Sequence, residues 1–585
     1  MSETTTSPQD SAAAIEEALR QDTLCAAFQV TAAANADRPA LRVFGSDTAL
    51  TWRDFADRVR SIATGLAALG IGPGDTVGLM LDSRDEFHLA DTAVLHLGAL
   101  PFSIYNSNPA EKIVPLLENS NARVLIAEAH YAPTLAAIAK DMPEIEKIIV
   151  VDGEAGEGQL TLAELEALPA PAGFDFEASW RAITPDTLAM LIYTSGTTGE
   201  PKGAEWNHRS LMTNLRGHHE ILPVSPHGRH ISYLPMAHLA ERFFSHYGTL
   251  VFGWTVTSLP DAKQLHAAIE EVRPTRFFGV PRIYEKLAEQ ARRIAAEDES
   301  TQAAIAAIDA GGAEKRAQAR TVLSPVRARL GLDAAEYLGS AAAPARADLL
   351  DLFDALGMKI IENWGMSETG LTLINPPDRV KIGTVGKPTP GVEAKLADDG
   401  ELLVRGPIFV GYRNDPERTR ESLDEDGWMH SGDVATVDED GYYKIVDRKK
   451  EIIINSAGKN MSPAYIENVI KAQSPVIGYA VAIGDRRKYN TALIVLDEDG
   501  VRHFATAKGL EGSHDELRAH PAVEAEVARA IEAANGHLAR VEQIKTYRIL
   551  DTTWVPGTNE VTATMKLRRR AINDKYAAEI EALYG

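Results

Sequence analysis

The chain has 585 residues, of which 45 % are apolar and 24 % charged, with a net charge of −23. At roughly 100–200 residues per domain, this is enough for about three to five domain-sized units around a large core, which excludes a disordered chain. The acidic balance excludes non-specific nucleic-acid binding as the default function and weakens electrostatic docking on anionic membranes.

In chain order, residues 1–20 read as a loose, Ser/Thr/Ala-rich flexible start. Their polar opening has no basic residue before Arg20 and no apolar core, so it is not a secretory signal. No apolar run reaches about 18 residues, so no spanning helix is expected and the expected location is cytoplasmic. Cys25 is the sole cysteine, which excludes an intramolecular disulfide and suits a reducing compartment. Phe55, Val59, Ile62, Ala63 and Leu66 recur at helical spacing, and Gly70 and Gly72-Pro73-Gly74 stop that helix. A buried strand follows over 76–81, then a helix over 88–100, a strand over 123–127, a helix over 131–139 and a strand over 147–151. Strands alternating with helices predict an α/β fold with largely parallel sheet. Residues 285–330 read as exposed helix pairs. Residues 385–446 are β-rich and punctuated by glycine, and the last 135 or so read as a separate α+β domain, with strands over 479–483 and 491–496 and helices over 513–535.

The strongest chemical signal is Tyr193-Thr194-Ser195-Gly196-Thr197-Thr198-Gly199-Glu200-Pro201-Lys202-Gly203, which follows an apolar strand. Glycines let backbone N–H groups approach an anion, hydroxyls add donors and the lysine adds charge, a combination that suits a polyphosphate. The order of residues is not that of a Walker loop. Further along stand Gly339-Ser340-Ala341, then Asn363-Trp364-Gly365-Met366-Ser367-Glu368-Thr369, His430-Ser431-Gly432-Asp433, Asp447-Arg448-Lys449-Lys450, Gly458-Lys459-Asn460 and Thr564-Met565-Lys566-Leu567.

This series resembles the adenylate-forming superfamily of acyl-CoA synthetases, peptide-synthetase adenylation domains and luciferases, from about Asp22 to Leu583. The resemblance implies a large N-terminal domain over 21–446, built of α/β subdomains and a β-rich subdomain. A hinge over 447–450 then leads to a small mobile α+β domain over 451–585. It implies that Thr194, Ser195, Gly196, Thr197, Thr198 and Gly199 bind the ATP phosphates with Lys202. Gly339, Ser340, Ala341 and Asn363 to Ser367 would form the adenine pocket, with Trp364 where the family usually has tyrosine. It assigns Glu368 to magnesium, Asp433 to the ribose hydroxyls, Arg448 to ribose or phosphate, Lys450 to the hinge, Gly458 to the coenzyme A tunnel and Lys566 to adenylation. Arg568, Arg569 and Arg570 fit either an exposed tail or contacts with coenzyme A phosphates.

Tyr233 to Arg242 and Phe277 to Lys286 resemble the long-chain fatty acyl-CoA synthetase branch, with His238 near the carboxylate or the pocket mouth. The expectation is therefore an ATP-, Mg²⁺- and coenzyme A-dependent ligase acting on a medium- or long-chain fatty acid. The rivals are an acyl-AMP ligase that loads a carrier protein and a degenerate nucleotide-binding scaffold. Peripheral membrane contact stays open because fatty acids partition into bilayers, and oligomeric state is not legible in one sequence.

Overall fold

Strands from Pro39–Val43 to Lys387–Pro388, together with Gly411–Tyr412, assemble into three sheets. The structure, a computed structural model, describes residues 8–585 except 195–200, 311–315, 342, 344, 457–458, 556 and 563–564. The chain divides into two compact units. One is Met1–Ala394 with Val404–His430, the other Lys395–Leu403 with Ser431–Gly585.

In the first unit, the largest sheet has eight strands. Their order is Gly411–Tyr412, Lys202–Asn207, Leu188–Thr194, Leu100–Ser103, Thr76–Met80, Ala122–Ala127, Lys147–Val150 and Leu160–Thr161. From Leu188–Thr194 to Leu160–Thr161 every pairing is parallel. All five residues of Thr76–Met80 are buried, as expected of a parallel strand covered on both faces. Gly78 serves packing there, because a Cβ would sit 2.8 Å from Leu125 and 3.0 Å from Phe102. A second sheet orders Arg276–Gly279, Tyr337–Ser340, Ile360–Met366, Gly370–Ile374 and Lys387–Pro388, and a third orders Arg229–Ser232, Thr255–Ser258, Pro39–Val43 and Ala49–Thr51. The region 285–330 supplies helices Pro281–Ala295, Glu299–Asp309 and Arg316–Arg329. Their Leu287, Ile305 and Leu323 pack with Phe353 in one core.

In the second unit, strands Ile477–Ile483, Asn490–Leu496 and Ile544–Ile549 form a sheet with a core on each face. Ala480, Ala482 and Ile494 pack with Ile466 and Val527 of two helices, while Val481, Leu493 and Val495 pack with Trp554, Ile572 and Ile580. Period-two alternation along the strands assigns the residues to the two faces.

The α/β class with a β-rich segment and a small α+β unit is as expected. Two details differ. Residues Pro8–Arg20 are a helix rather than a loose start, because Ile15, Ala18 and Leu19 recur on one face and are buried. The helix placed over 88–100 is Asp85–His96. Gly98 at φ +67 ends it, and Leu100 already opens a strand. The helices expected over 513–535 are His514–Arg518 and Pro521–His537, separated at Pro521, whose ring cannot continue the first. The second unit takes in Lys395–Leu403 together with Ser431–Gly585. The hairpin Met429–Val437/Tyr443–Arg448 runs through position 447, and Ala435 N donates to Gly400 O at 3.0 Å. Among the described residues, no helix is long and apolar enough to cross a membrane.

Candidate active site

Strand Leu188–Thr194 pairs antiparallel with Lys202–Asn207, with Thr194 opposite Lys202. Leu188–Thr194 runs parallel to Leu100–Ser103, so Thr194 and Lys202 stand at the carboxyl edge of the parallel strands, where open α/β sheets bind ligands. Ser195, Gly196, Thr197, Thr198 and Gly199 lie outside the described residues.

Lys202 opens the strand at this edge. Its Nζ lies 5.5 Å from the centroid of the Tyr412 ring. The Tyr412 hydroxyl donates to Glu368 Oε1 at 2.7 Å, and both residues are buried. Burial, then the Glu368 charge, push the Tyr412 phenol above its ordinary range, so it stays a protonated donor. Sequence reading missed Tyr412: 44 residues separate it from Glu368, and nothing in its local pattern marks it.

Glu368 is held by a tight turn between Ile360–Met366 and Gly370–Ile374, where Met366 pairs with Gly370. Gly365 is obligatory, since a Cβ there would lie 1.9 Å from Gly370 O. Thr369 Oγ1 accepts from Met366 N at 3.1 Å and donates to Gly370 O at 3.1 Å, while Trp206 Nε1 donates to Ser367 O at 2.9 Å. Upstream, Tyr337–Ser340 is parallel to Ile360–Met366, with Gly339 opposite Ile361 and Ser340 opposite Glu362. Ala341 and Trp364 are buried. Asn363 Nδ2 donates to Tyr337 Oη at 2.9 Å. Asn363 Oδ1 and Ser340 Oγ are buried and have no hydrogen-bond partner among the described residues. A buried acceptor and a buried hydroxyl left open on adjacent strands suit the polar edge of a flat ligand.

His238 is half-buried and caps the short helix Leu239–Glu241, its Nδ1 accepting from Ala240 N at 3.2 Å. The chain continues as a π-helix, Arg242–Tyr247. Glu241 is fully enclosed, and burial pushes its carboxyl up to about 7, against the pull of Ser245 and Ser232 hydroxyls and the backbone at Leu234 and Tyr233. Buried Arg242 is neutralised by Asp91, which also pairs with His246 at 2.9 Å.

In the second unit, Asp433 and Arg448 face each other across the hairpin, with Arg448 Nε 2.7 Å from Asp433 Oδ1. Asp447 closes the next connection. Its Oδ2 accepts from Ser462 Oγ at 2.5 Å and Ala464 N at 3.2 Å, tying the strand end to the start of helix Pro463–Lys471. Lys449 pairs with Asp399 at 2.5 Å and Glu401 at 3.0 Å, whereas Lys450 is exposed in the turn that follows. Gly458 lies outside the described residues. Lys566 is exposed at a tight reversal in which Val561 bridges Leu567 and Met565 takes φ +63. Thr562 Oγ1 accepts from Lys566 N at 2.9 Å, fixing the backbone beneath the lysine. The structure separates the arginine trio. Arg569 is half-buried between Glu467 (2.5 Å) and Glu451 (2.9 Å), a structural role, while Arg570 is exposed.

Residues 28–413 match the family model for the AMP-binding enzyme, and residues 450–585 match that for the AMP-binding enzyme C-terminal domain. The chain belongs to the AMP-binding enzyme family. This AMP-binding enzyme is 46 % identical over 452 residues to the "Putative fatty-acid--CoA ligase fadD11" of Mycobacterium tuberculosis, covering 73 % of this chain and 79 % of that one. It is 34 % identical over 563 residues to the "Long-chain-fatty-acid--CoA ligase FadD15" of the same species, covering 92 % of each. Among solved structures, it resembles the adenylation domain of the carboxylate reductase from Mycobacterium chelonae. The TM-score is 0.79 at 22 % identity, covering 99 % of this chain and 94 % of that one, a likeness of fold.

Proposed function

We propose that this AMP-binding enzyme is an ATP-dependent fatty acid–CoA ligase acting on medium- or long-chain acids. The arrangement that carries the reading is Lys202–Tyr412–Glu368, a cation and a buried carboxylate joined by a phenol at the carboxyl edge of the parallel strands. The names of relatives matching nearly its whole length supply the acid and the thiol.

In the first step a carboxylate oxygen attacks the α-phosphorus of ATP, and the bond to the bridging oxygen of pyrophosphate breaks. Two anions meet, so the protein contributes position and positive charge. Lys202 takes the phosphates and Lys566 the reacting oxygens. Asn363, Ser340 and Trp364 receive the adenine, and Asp433 and Arg448 the ribose and phosphate. His238 stands at the carboxylate end of the acyl pocket. Glu368 fits a magnesium ion: its Oε1 is occupied by Tyr412, and its Oε2 has no partner among the described residues. Bound there, Mg²⁺ neutralises phosphate charge. In the second step the coenzyme A thiolate attacks the acyl carbon, the carbon–oxygen bond to AMP breaks, and the thiol proton passes to solvent. Rotation about Lys450 exchanges Lys566 for the segment around Gly458 between the steps.

The test is pyrophosphate release by purified protein with ATP and Mg²⁺, across acids from acetate to stearate, with and without coenzyme A. The expected result is release that depends on a medium or long acid, with thioester formed only when coenzyme A is present. An adenylate that coenzyme A cannot discharge points instead to carrier-protein loading, and no release with any acid overturns the reading.

A further inference from the structure

A second cleft lies in the first unit, on one face of the sheet formed by Arg229–Ser232, Thr255–Ser258 and Pro39–Val43. It holds about 280 Å³ and is closed by the end of helix Leu265–Val272. Parallel register sets Arg229 opposite Thr255 and Arg42 opposite Thr257, and the period of two puts all four on the same face. Arg273 and Glu271 complete the lining.

The charges in this cleft do not cancel. Arg42 pairs with Glu271, and Arg273 with Asp333. Arg229 instead donates Nε to Val272 O at 2.8 Å and Arg273 O at 3.0 Å, and Nη2 to Arg273 O at 2.6 Å. These are carbonyls of the helix end, and no carboxylate among the described residues lies within ion-pair distance of Arg229. Carbonyl dipoles offset a guanidinium only in part, so the cleft keeps a net positive charge within a chain of −23. Arg42 Nε is also buried without a hydrogen-bond partner among the described residues. A charged donor buried without an acceptor is unfavourable and calls for an anion or water to meet it. The volume exceeds one water, roughly 30 Å³ of liquid, several-fold. Guanidinium groups with a nearby hydroxyl, here Thr257, match the tetrahedral oxygens of a phosphate.

We propose that this cleft binds a compact phosphoryl anion, either free inorganic phosphate or the phosphate end of a small ester. Glu271 limits the charge it accepts, which excludes an extended polyanion. None of its residues belongs to the adenylate site, so the inference stands or falls independently of the ligase reading.

The test is calorimetric titration of the full-length protein with inorganic phosphate and, separately, with glycerol 3-phosphate. The expected result is saturable binding that weakens about tenfold in Arg42→Gln and by a smaller factor in the uncharged Thr257→Val, with both variants melting as the wild type does. Tighter binding of glycerol 3-phosphate than phosphate identifies an ester as the ligand, and the reverse order identifies the free anion. No saturable heat in the wild type, or both variants titrating like the wild type, overturns the site.

Discussion

Arg448 Nε lies 2.7 Å from Asp433 Oδ1, and the two residues stand directly opposite each other in one hairpin. The carboxylate proposed for the ribose diol is thus oriented by the cation proposed for the ribose or phosphate. Asp433→Asn removes charge and acceptor capacity together, and is expected to lower kcat/KM for ATP by roughly 2–3 kcal/mol, about 30- to 150-fold. Arg448→Met on that background adds less than it costs alone, because one interaction cannot be lost twice. Steady-state kinetics of the two single variants and the double variant measure this. Full additivity would show that the pair does not work as a unit.

Lys566 is exposed and its backbone is pinned by Thr562, so truncating its side chain leaves the fold intact. Lys566→Ala is expected to abolish acid-dependent pyrophosphate release while largely sparing thioester formation from supplied acyl-AMP. Single-turnover measurements of each half-reaction decide the matter, and equal loss of both would remove Lys566 from its assigned step.

Tyr412 donates to one oxygen of Glu368 and thereby orients the other. Tyr412→Phe keeps the ring beneath Lys202 and deletes that bond. The Mg²⁺ concentration for half-maximal activity is expected to rise several-fold, with a smaller change at saturating Mg²⁺, as when the partner orienting a metal ligand is lost. A magnesium titration of activity checks this, and an unchanged midpoint would separate Tyr412 from the metal.

Arg569 holds buried Glu467, whose carboxyl is raised by burial and pulled back by the arginine. Arg569→Leu strands that carboxylate and is expected to destabilise the second unit by about 3–5 kcal/mol. Arg570→Ala, exposed and next in sequence, is expected to stay within about 0.5 kcal/mol. Denaturant unfolding of both variants distinguishes a structural trio from the mixed one described above.

Glu241 carries a carboxyl raised by burial from 4.5 to about 7. Between those values the folded state binds more protons than the unfolded state, so this group's contribution falls as pH rises through the window, by roughly 3 kcal/mol in all. Glu241→Gln is expected to flatten the decline in melting temperature between pH 5 and pH 8. A variant with the wild-type slope would place the titration elsewhere.

Sequence alone determined the α/β class, the order of the phosphate, adenine, ribose and hinge segments, and the family they resemble. Those signals are local: Thr194 to Gly203 is one continuous stretch, and the 3.6- and 2-residue periods report which face is buried before any partner is known. Even so, local reading overlooked the buried face of Pro8–Arg20, because a short amphipathic stripe reads as disorder until something covers it. Only the tertiary structure decided that Tyr412 meets Glu368, that Arg569 rather than Arg570 is half-buried, and that Glu241 is enclosed by Ser232 and Ser245. It also decided that the hairpin bearing Asp433 belongs with the C-terminal unit. The physical reason is the same in each case: a hydrogen bond or ion pair across 44 or 102 residues leaves no periodic trace in the chain, and desolvation is a property of everything that surrounds a group.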